Sequence, residues 1–519
     1  MADDSHSSAS EKSGYKKIIA TCQLARSKGI EYAWVDTCCV DKTSSSELNE
    51  AINSMYRWYW TAEVCFALLT DFDNDITLEA ALPKCRWFTR GWCLQELIAP
   101  KILEWYDVGW RCIGVKADLT TSVSRITSID ESVLLDRNLI ASVPVGRRMS
   151  WAAKRKTTRQ EDLAYCLLGI FDVNMPMLYG EGPRAFIRLQ EEIIKSTNDL
   201  SIFAFDSGPR ADTDEPLARD MPDVYCHLFA KSPEDFAGCA GLVGTGSDFH
   251  WNDAFSLTNR GLHFPRAKLR VDPRRGSYIL PLNCRLSESA AVAHMCLRKV
   301  GPWLFSKYLE TTHQQSLDVT REAHVEIEEA YIIASISATT QLQLQWAGEY
   351  AIRISREGYD LSRALQVFRR VPSSNRWDAA RTQLLTRGEK NVQGFWKVFP
   401  GLAFPIAAAG EVSRSRSTTP CLLMCGIEFH QNVSSPRTWV RLCSLNEWRD
   451  LEAKFGVSMT QGNDPASPLD TRKTIDHITV DATSQNPLTI TATIWHEDGE
   501  EIPYFRLELT FDSARADGV

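Results

Sequence analysis

The apolar residues of this chain change their period once, near residue 205. Before that point they recur at helical spacing between short apolar runs; beyond residue 223 they alternate along runs separated by turns. A chain of 519 residues exceeds what one hydrophobic core holds. The expectation is an α/β N-terminal domain followed by a mostly-β C-terminal domain, a sandwich or barrel. Residues 1–14 read as a polar tail, 15–205 as the α/β domain, 206–223 as a breaker-rich linker and 224–519 as the β-rich domain.

Within the first domain, residues 14–29 read as a helix ending at Gly29. The runs YAWVD (32–36), VCFALL (64–69) and KILEWY (101–106) read as buried strands. Between the first two, Leu48, Ile52, Met55 and Tyr59 lie on one helical face, and Ser44 with Glu47 has capping-box spacing. Strand, helix and strand of these lengths predict a right-handed βαβ unit in a parallel sheet. GWCLQELIA predicts a helix stopped by Pro100, and TTRQEDLAYCLLG one that Thr158 caps with Glu161 three residues on. PRAFIRLQEEIIKS predicts a last helix starting at Pro183, with Phe186, Leu189 and Ile193 facing inward. Downstream, SYILPLNCRL, AHVEIEEAYIIASISA, QLQLQWAGEYAIRI, TWVRLCSL, HITVDA, LTITATIW and YFRLELTF read as strands.

Composition removes several function classes. A net charge of −8 argues against nucleic acid and anionic membrane as partners. No apolar stretch reaches the roughly 20 residues that a membrane span needs. The polar first residues resemble neither a secretory signal nor a transit peptide, and 15 scattered cysteines suit reduced thiols in the cytoplasm. After His6 the next histidine is His227, so a Ser-His-Asp triad or a Cys-His pair cannot be assembled within the first domain, and no metal site is expected. Neither a GxxxxGK[ST] loop nor a GxGxxG after a strand is present.

Carboxylates remain. In an open parallel sheet ligands bind beyond the carboxyl ends of the strands, which directs attention to residues 37–46 and to the segment leading into Trp92. Glu96 follows Trp92 by one helical turn, so a carboxylate would stand above an indole. Such a pair can hold a flat heterocycle and stabilise an oxocarbenium-like centre. The alternative is a solvated glutamate beside a core tryptophan. Asp36 and Asp41, flanking the strand-end loop, are candidates for binding hydroxyls or else turn caps, and Arg90 joins them as a ligand-binding candidate. Arg148, Arg155 and Arg159 belong to a basic stretch leading into a helix N-terminus, either an anion site or a solvated face.

WVDTCCVDK, SSSELNEAINSMYRWY, WFTRGWCLQELIAP and RMSWAAKRKTTRQEDLAYCLLGIFDVNMPMLYGEG, in this order, resemble the fungal heterokaryon-incompatibility (HET) domain over roughly residues 15–205. The resemblance implies non-self recognition after cell fusion, ending in growth arrest or cell death. WCLQEL is also similar to the WCLDEL-type segment of Toll/interleukin-1 receptor (TIR) domains, which have a flavodoxin-like parallel sheet. In enzymatic members the glutamate of that segment cleaves nicotinamide from NAD, a role that would fall on Glu96, with NAD as substrate and no cofactor. Partners implied are further copies of the chain or other HET- and NLR-type signalling proteins. HET domains usually open with a strand and a Ser-His-x-Trp-Gly-like loop, and nothing similar precedes Gly14, which leaves open a truncated, non-catalytic interaction module. KSPEDFAG and TNRGLHF resemble what commonly follows HET domains.

Overall fold

The computed structural model describes residues 13–205, 225–245, 254–272, 276–287, 292–308, 325–337, 339–340, 351–355, 365–371, 376–381, 383–385, 391–398, 421–428, 437–444, 473–480, 488–497 and 504–513. The segment read as a linker, 206–223, lies outside the described residues, as does most of the tail. Contacts divide the chain into two units. Unit 1 comprises Met1–Arg210, Phe229–Ser256 and Pro281–His294; unit 2 comprises Ala211–Leu228, Leu257–Leu280 and Met295–Val519.

Unit 1 begins with α1 (Ser13–Ser27), and Gly29 follows at φ 74°, the left-handed conformation that ends a helix cheaply only with glycine. Ala25 is its one fully buried side chain, so α1 is lightly anchored. Lys28 Nζ reaches Glu104 at 2.9 Å.

The strand expected over 32–36 does not form. Residues 30–35 belong to no sheet, Tyr32 is 87% exposed, and Asp36–Cys39 makes a helical turn. Two local effects outweigh strand propensity. Trp34 packs its ring on Trp58 and Tyr59, with centroids 5.2 and 5.9 Å away. The Val35 carbonyl accepts the Cys38 and Cys39 amides at 3.1 and 2.9 Å, which turns the chain.

Helix α2 (Ser45–Thr61) forms where its apolar spacing and cap predicted. Ser44 Oγ accepts the Glu47 amide at 3.3 Å, while the Glu47 carboxylate reaches the Asp41 amide at 2.8 Å, so half of the capping box is realised. Strand β1 (Cys65–Leu68) leads through two 3₁₀ turns to α3 (Cys93–Ile98) and then β2 (Leu103–Tyr106), parallel to β1 with Cys65 opposite Leu103. This crossover is the βαβ element that the unit contains. Strand β3 (Cys112–Val115) returns antiparallel on β2, giving the order β1-β2-β3. An open flavodoxin-like parallel sheet was expected; the described residues of this sheet have one parallel pair. The cause is Asp107, buried at the end of β2, whose carboxylate accepts the Gly109 and Arg111 amides at 2.9 Å each and Arg111 Nε at 2.8 Å. That clamp turns the chain back on itself.

Helices α4 (Thr120–Thr127) and α5 (Val145–Ser150) follow. The single helix expected after Thr158 is two short ones, Asp162–Tyr165 and Leu168–Phe171. Glu161 does not close a capping box there; its carboxylate accepts the Gly180 and Gly182 amides at 2.8 and 3.1 Å. At Gly169 a Cβ would stand 2.0 Å from Tyr56 Cβ, so the second short helix touches α2 nearly backbone to side-chain root. The final helix, α6 (Arg184–Ser196), buries Phe186, Leu189 and Ile193 as its pattern requires, with Pro183 one position earlier than expected, at the N-cap. The fully buried Gln190 donates to the Ala230 carbonyl at 2.9 Å and accepts the Ala230 amide at 3.0 Å, which ties residue 230 into unit 1.

Strands β4 (Leu242–Gly244) and β5 (Ser256–Thr258) are short. Next come β6 (Gly261–Asp272), β7 (Ser277–Leu286), β8 (Val292–Gly301), β9 (Leu304–Lys307) and β10 (Val325–Ile332). These five close into a barrel, since β6 pairs with both β10 and β7. Its interior follows the period of two along β6 on either side of one register shift, with Leu262 and Phe264 buried before it and Ala267, Leu269 and Val271 after it. The remaining described strands form a six-stranded and a four-stranded sheet, and each of the seven runs read as strands downstream of the linker contributes a strand or part of one. A barrel was one of the two architectures expected.

Candidate functional site

Helix α3 is strapped down before it starts. Lys156 donates its amide to Thr89 and accepts that of Gly91, at 2.7 and 2.9 Å. A Cβ on Gly91 would lie 2.5 Å from Thr157 Cγ2 and 3.2 Å from Cys166 Sγ, so only glycine admits this approach. Leu94, Gln95, Leu97 and Ile98 are buried, and Gln95 donates to the Cys166 carbonyl at 2.8 Å. Beneath the strap, buried Arg155 donates to the carbonyls of Trp151 (3.2 Å) and Arg90 (2.9 Å), and burial lowers its pKa to about 10.

Against this platform Glu96 stands half-buried in the first turn. Its Oε2 accepts the indole N–H of Trp87 at 2.9 Å. Trp87 is itself fixed by edge contacts to Phe88 and Trp105, at 5.0 and 5.8 Å between centroids. The indole that orients Glu96 is therefore Trp87 and not Trp92, as the one-turn spacing suggested. Tyr59 shares the neighbourhood: burial first, then the charges of Glu96 and Asp36, hold its phenol well above the ordinary range. Burial and the Glu96 charge likewise raise the thiols of Cys65 and Cys93.

Trp92 serves a second carboxylate. This is Asp162, which accepts the Tyr179 hydroxyl at 3.0 Å; burial raises the pKa of that carboxyl, and the nearby Trp92 indole lowers it. Tyr59, Trp87 and Asp162 were not singled out from the sequence as site residues. Their only sequence signal is membership of the same helical or 3₁₀ stretches, and what assembles them is the strap between residues 89–91 and 155–157.

The other residues proposed from sequence lie apart from one another. Asp36 is exposed and accepts the Thr37 hydroxyl at 3.2 Å, and its charge contributes to raising the Tyr59 phenol. Asp41 is exposed and caps its own turn, accepting the Thr43 amide and hydroxyl at 2.8 and 2.6 Å, which lowers its pKa. The Arg90 side chain is exposed. Arg148 donates to the Ile170 carbonyl at 3.1 Å and lies over Phe171, with burial bringing its pKa to about 10. Arg159 lies exposed over the Tyr179 ring at 4.4 Å. Of the candidate anion-binding residues, Arg148 and Arg155 are thus engaged by carbonyls and Arg159 lies over a ring, each with different partners.

Residues 8–81 match the family model described as heterokaryon incompatibility protein (HET). The N-terminal part of the chain is similar to HET domains. A second family model, a domain of unknown function (DUF8212), matches residues 184–250, across the α6 to β4 region. A similar relative is the vegetative incompatibility protein HET-E-1 of Podospora anserina, 44% identical over 234 residues. That match covers 43% of this chain and 17% of the relative, so the chain spans a small part of that relative's length. No solved structure matches the chain. Among the described residues, no helix is long and apolar enough to cross a membrane.

Proposed function

We propose that this chain is a HET-family protein acting in heterokaryon incompatibility, and that unit 1 is a TIR-like effector that hydrolyses NAD at its nicotinamide N-glycosidic bond through Glu96. The observation that carries the reading is the half-buried Glu96 carboxylate, held from one side by the Trp87 indole at 2.9 Å on a buried platform. As the glycosidic bond breaks, nicotinamide leaves with the bonding electron pair as a neutral heterocycle, and positive charge develops on the ribose. A carboxylate oriented beforehand stabilises that charge without reorganising, and water then adds at the same carbon and gives up a proton. NAD is substrate, the setting is cytoplasmic, and the outcome is growth arrest or cell death. Copies of the chain or other HET- and NLR-type proteins are the proposed partners.

The test is nicotinamide release by purified full-length chain, comparing wild type with Glu96→Gln and Trp87→Phe. Loss of release in Glu96→Gln with retained folding is expected. Release that survives this substitution removes Glu96 from the role. A second reading, a non-catalytic module that signals by assembly, is favoured by the sheetless segment 30–35 with Tyr32 87% exposed. Growth arrest on expression in a fungal host, unaffected by Glu96→Gln and abolished by Tyr32→Ser, would select that reading.

A further inference from the structure

Two groups of cysteines occur in unit 1, and they differ in what they can react with. Cys65, Cys85, Cys93 and Cys166 are buried, and burial raises all four thiols, Cys85 to about 11 and Cys166 to about 12. Thiols so placed are inert. Cys38 and Cys39 are adjacent and both exposed, on the helical turn Asp36–Cys39. Their sulfurs stand 3.9 Å apart and face the same way, because each is held to Val35: the Cys38 thiol donates to the Val35 carbonyl at 3.7 Å, and Cys39 Sγ accepts the Val35 amide at 3.4 Å.

That separation decides what could join them. A disulfide needs about 2.05 Å between sulfurs, so forming one would mean unwinding the turn. Two bonds of about 2.3 Å to one common atom, the usual length from sulfur to a soft centre, span the gap that is present. Among the described residues no group of three or more His, Cys, Asp or Glu is arranged to hold a metal ion, so the occupant has to be satisfied by two sulfurs. We propose that Cys38 and Cys39 form a dithiol site for thiophilic centres with two open valences, the class represented by monosubstituted trivalent arsenicals. In the reaction two As–S bonds form, the As–O bonds break, and the oxygen leaves as water with the two thiol protons. Arsenic stays trivalent, so no oxidant is required. The bridge locks the turn that Val35 already organises.

The experiment uses the full chain, phenylarsine oxide as probe, and iodoacetamide labelling mapped peptide by peptide. Chelation by two thiols should protect Cys38 and Cys39 together at a concentration about 100-fold below that protecting Cys112, an exposed thiol on β3. A dithiol competitor should restore labelling where a monothiol at equal thiol concentration does not. In Cys38→Ser, protection of Cys39 should weaken about 100-fold to the level of Cys112, and Cys39→Ser should do the same to Cys38. The proposal is overturned if Cys39 keeps its protection in Cys38→Ser, if exposed Cys22 is protected with Cys38 while Cys39 stays reactive, or if the wild-type pair is protected no better than Cys112.

Discussion

Segments 31–41 and 87–99 carry equally distinctive sequence, and the fold treats them in opposite ways. In the first, Tyr32, Asp36, Cys38, Cys39 and Asp41 are exposed, and most polar contacts run to neighbours within a few residues. In the second, Trp87, Leu94, Gln95, Leu97 and Ile98 are buried and the tethers reach residues 155–166. The difference shows which segment can serve as a platform and which as a lip. Long-range contacts fix a side chain against several elements at once, whereas local ones leave the segment free to open by itself.

The sharpest test of this contrast is chemical. Glu96→Ala should lower nicotinamide release by about 100-fold or more, the usual cost of losing a preorganised charge, while Asp41→Ala, in the lip, should change it little. Equal losses in both would erase the distinction.

Backbone approach gives the next effect. Gly91→Ala drives a methyl to 2.5 Å from Thr157 Cγ2 and should destabilise by about 1–3 kcal/mol in urea unfolding. Gly29→Ala, at the lip's entrance, meets nothing within 4 Å and carries only the strain of φ 74°, about 1 kcal/mol.

A smaller effect depends on pH. Buried Lys116 donates to the Leu97 and Pro100 carbonyls at 3.2 and 2.7 Å, at the end of the platform helix, and burial lowers its pKa to about 8. Between about 8 and the ordinary lysine value of 10.5 the unfolded chain holds this proton and the folded chain does not. Stability therefore gains from this group as pH rises through that window, and Lys116→Met should flatten the corresponding rise in Tm. Asp41 acts with the same sign in a more acidic window: its lowered pKa contributes stability above the ordinary carboxylate pKa and loses it on acidification.

The smallest effect is Tyr32→Ser, which should leave unfolding free energy within about 0.5 kcal/mol of wild type. A larger loss would mean that the lip is anchored through Tyr32.

Helix α2 with its Ser44 cap, the apolar face of α6, strands β1 and β2 and the barrel strands β7 and β10 were legible in advance, because each follows from a local period or cap. Residues 32–36 misled because a short apolar run does not say whether it will pair or pack, and Trp34 packed. The partner of Glu96 misled for a related reason. Helical spacing shows which side chains share a face, but the rotamers of Trp87 and Trp92 follow from what surrounds them, Trp105 and Phe88 for one and Asp162 for the other.

Sequence alone determined the division into α/β and β-rich parts, the positions of the main helices, and the lack of histidine within residues 15–205, since composition, period and capping are properties of neighbours along the chain. Tertiary structure alone decided that β3 turns back at Asp107, that Trp87 rather than Trp92 holds Glu96, and that Cys38 and Cys39 present their sulfurs side by side. Those outcomes depend on which distant groups satisfy a buried carboxylate, amide or carbonyl, and that competition is settled only when the chain packs.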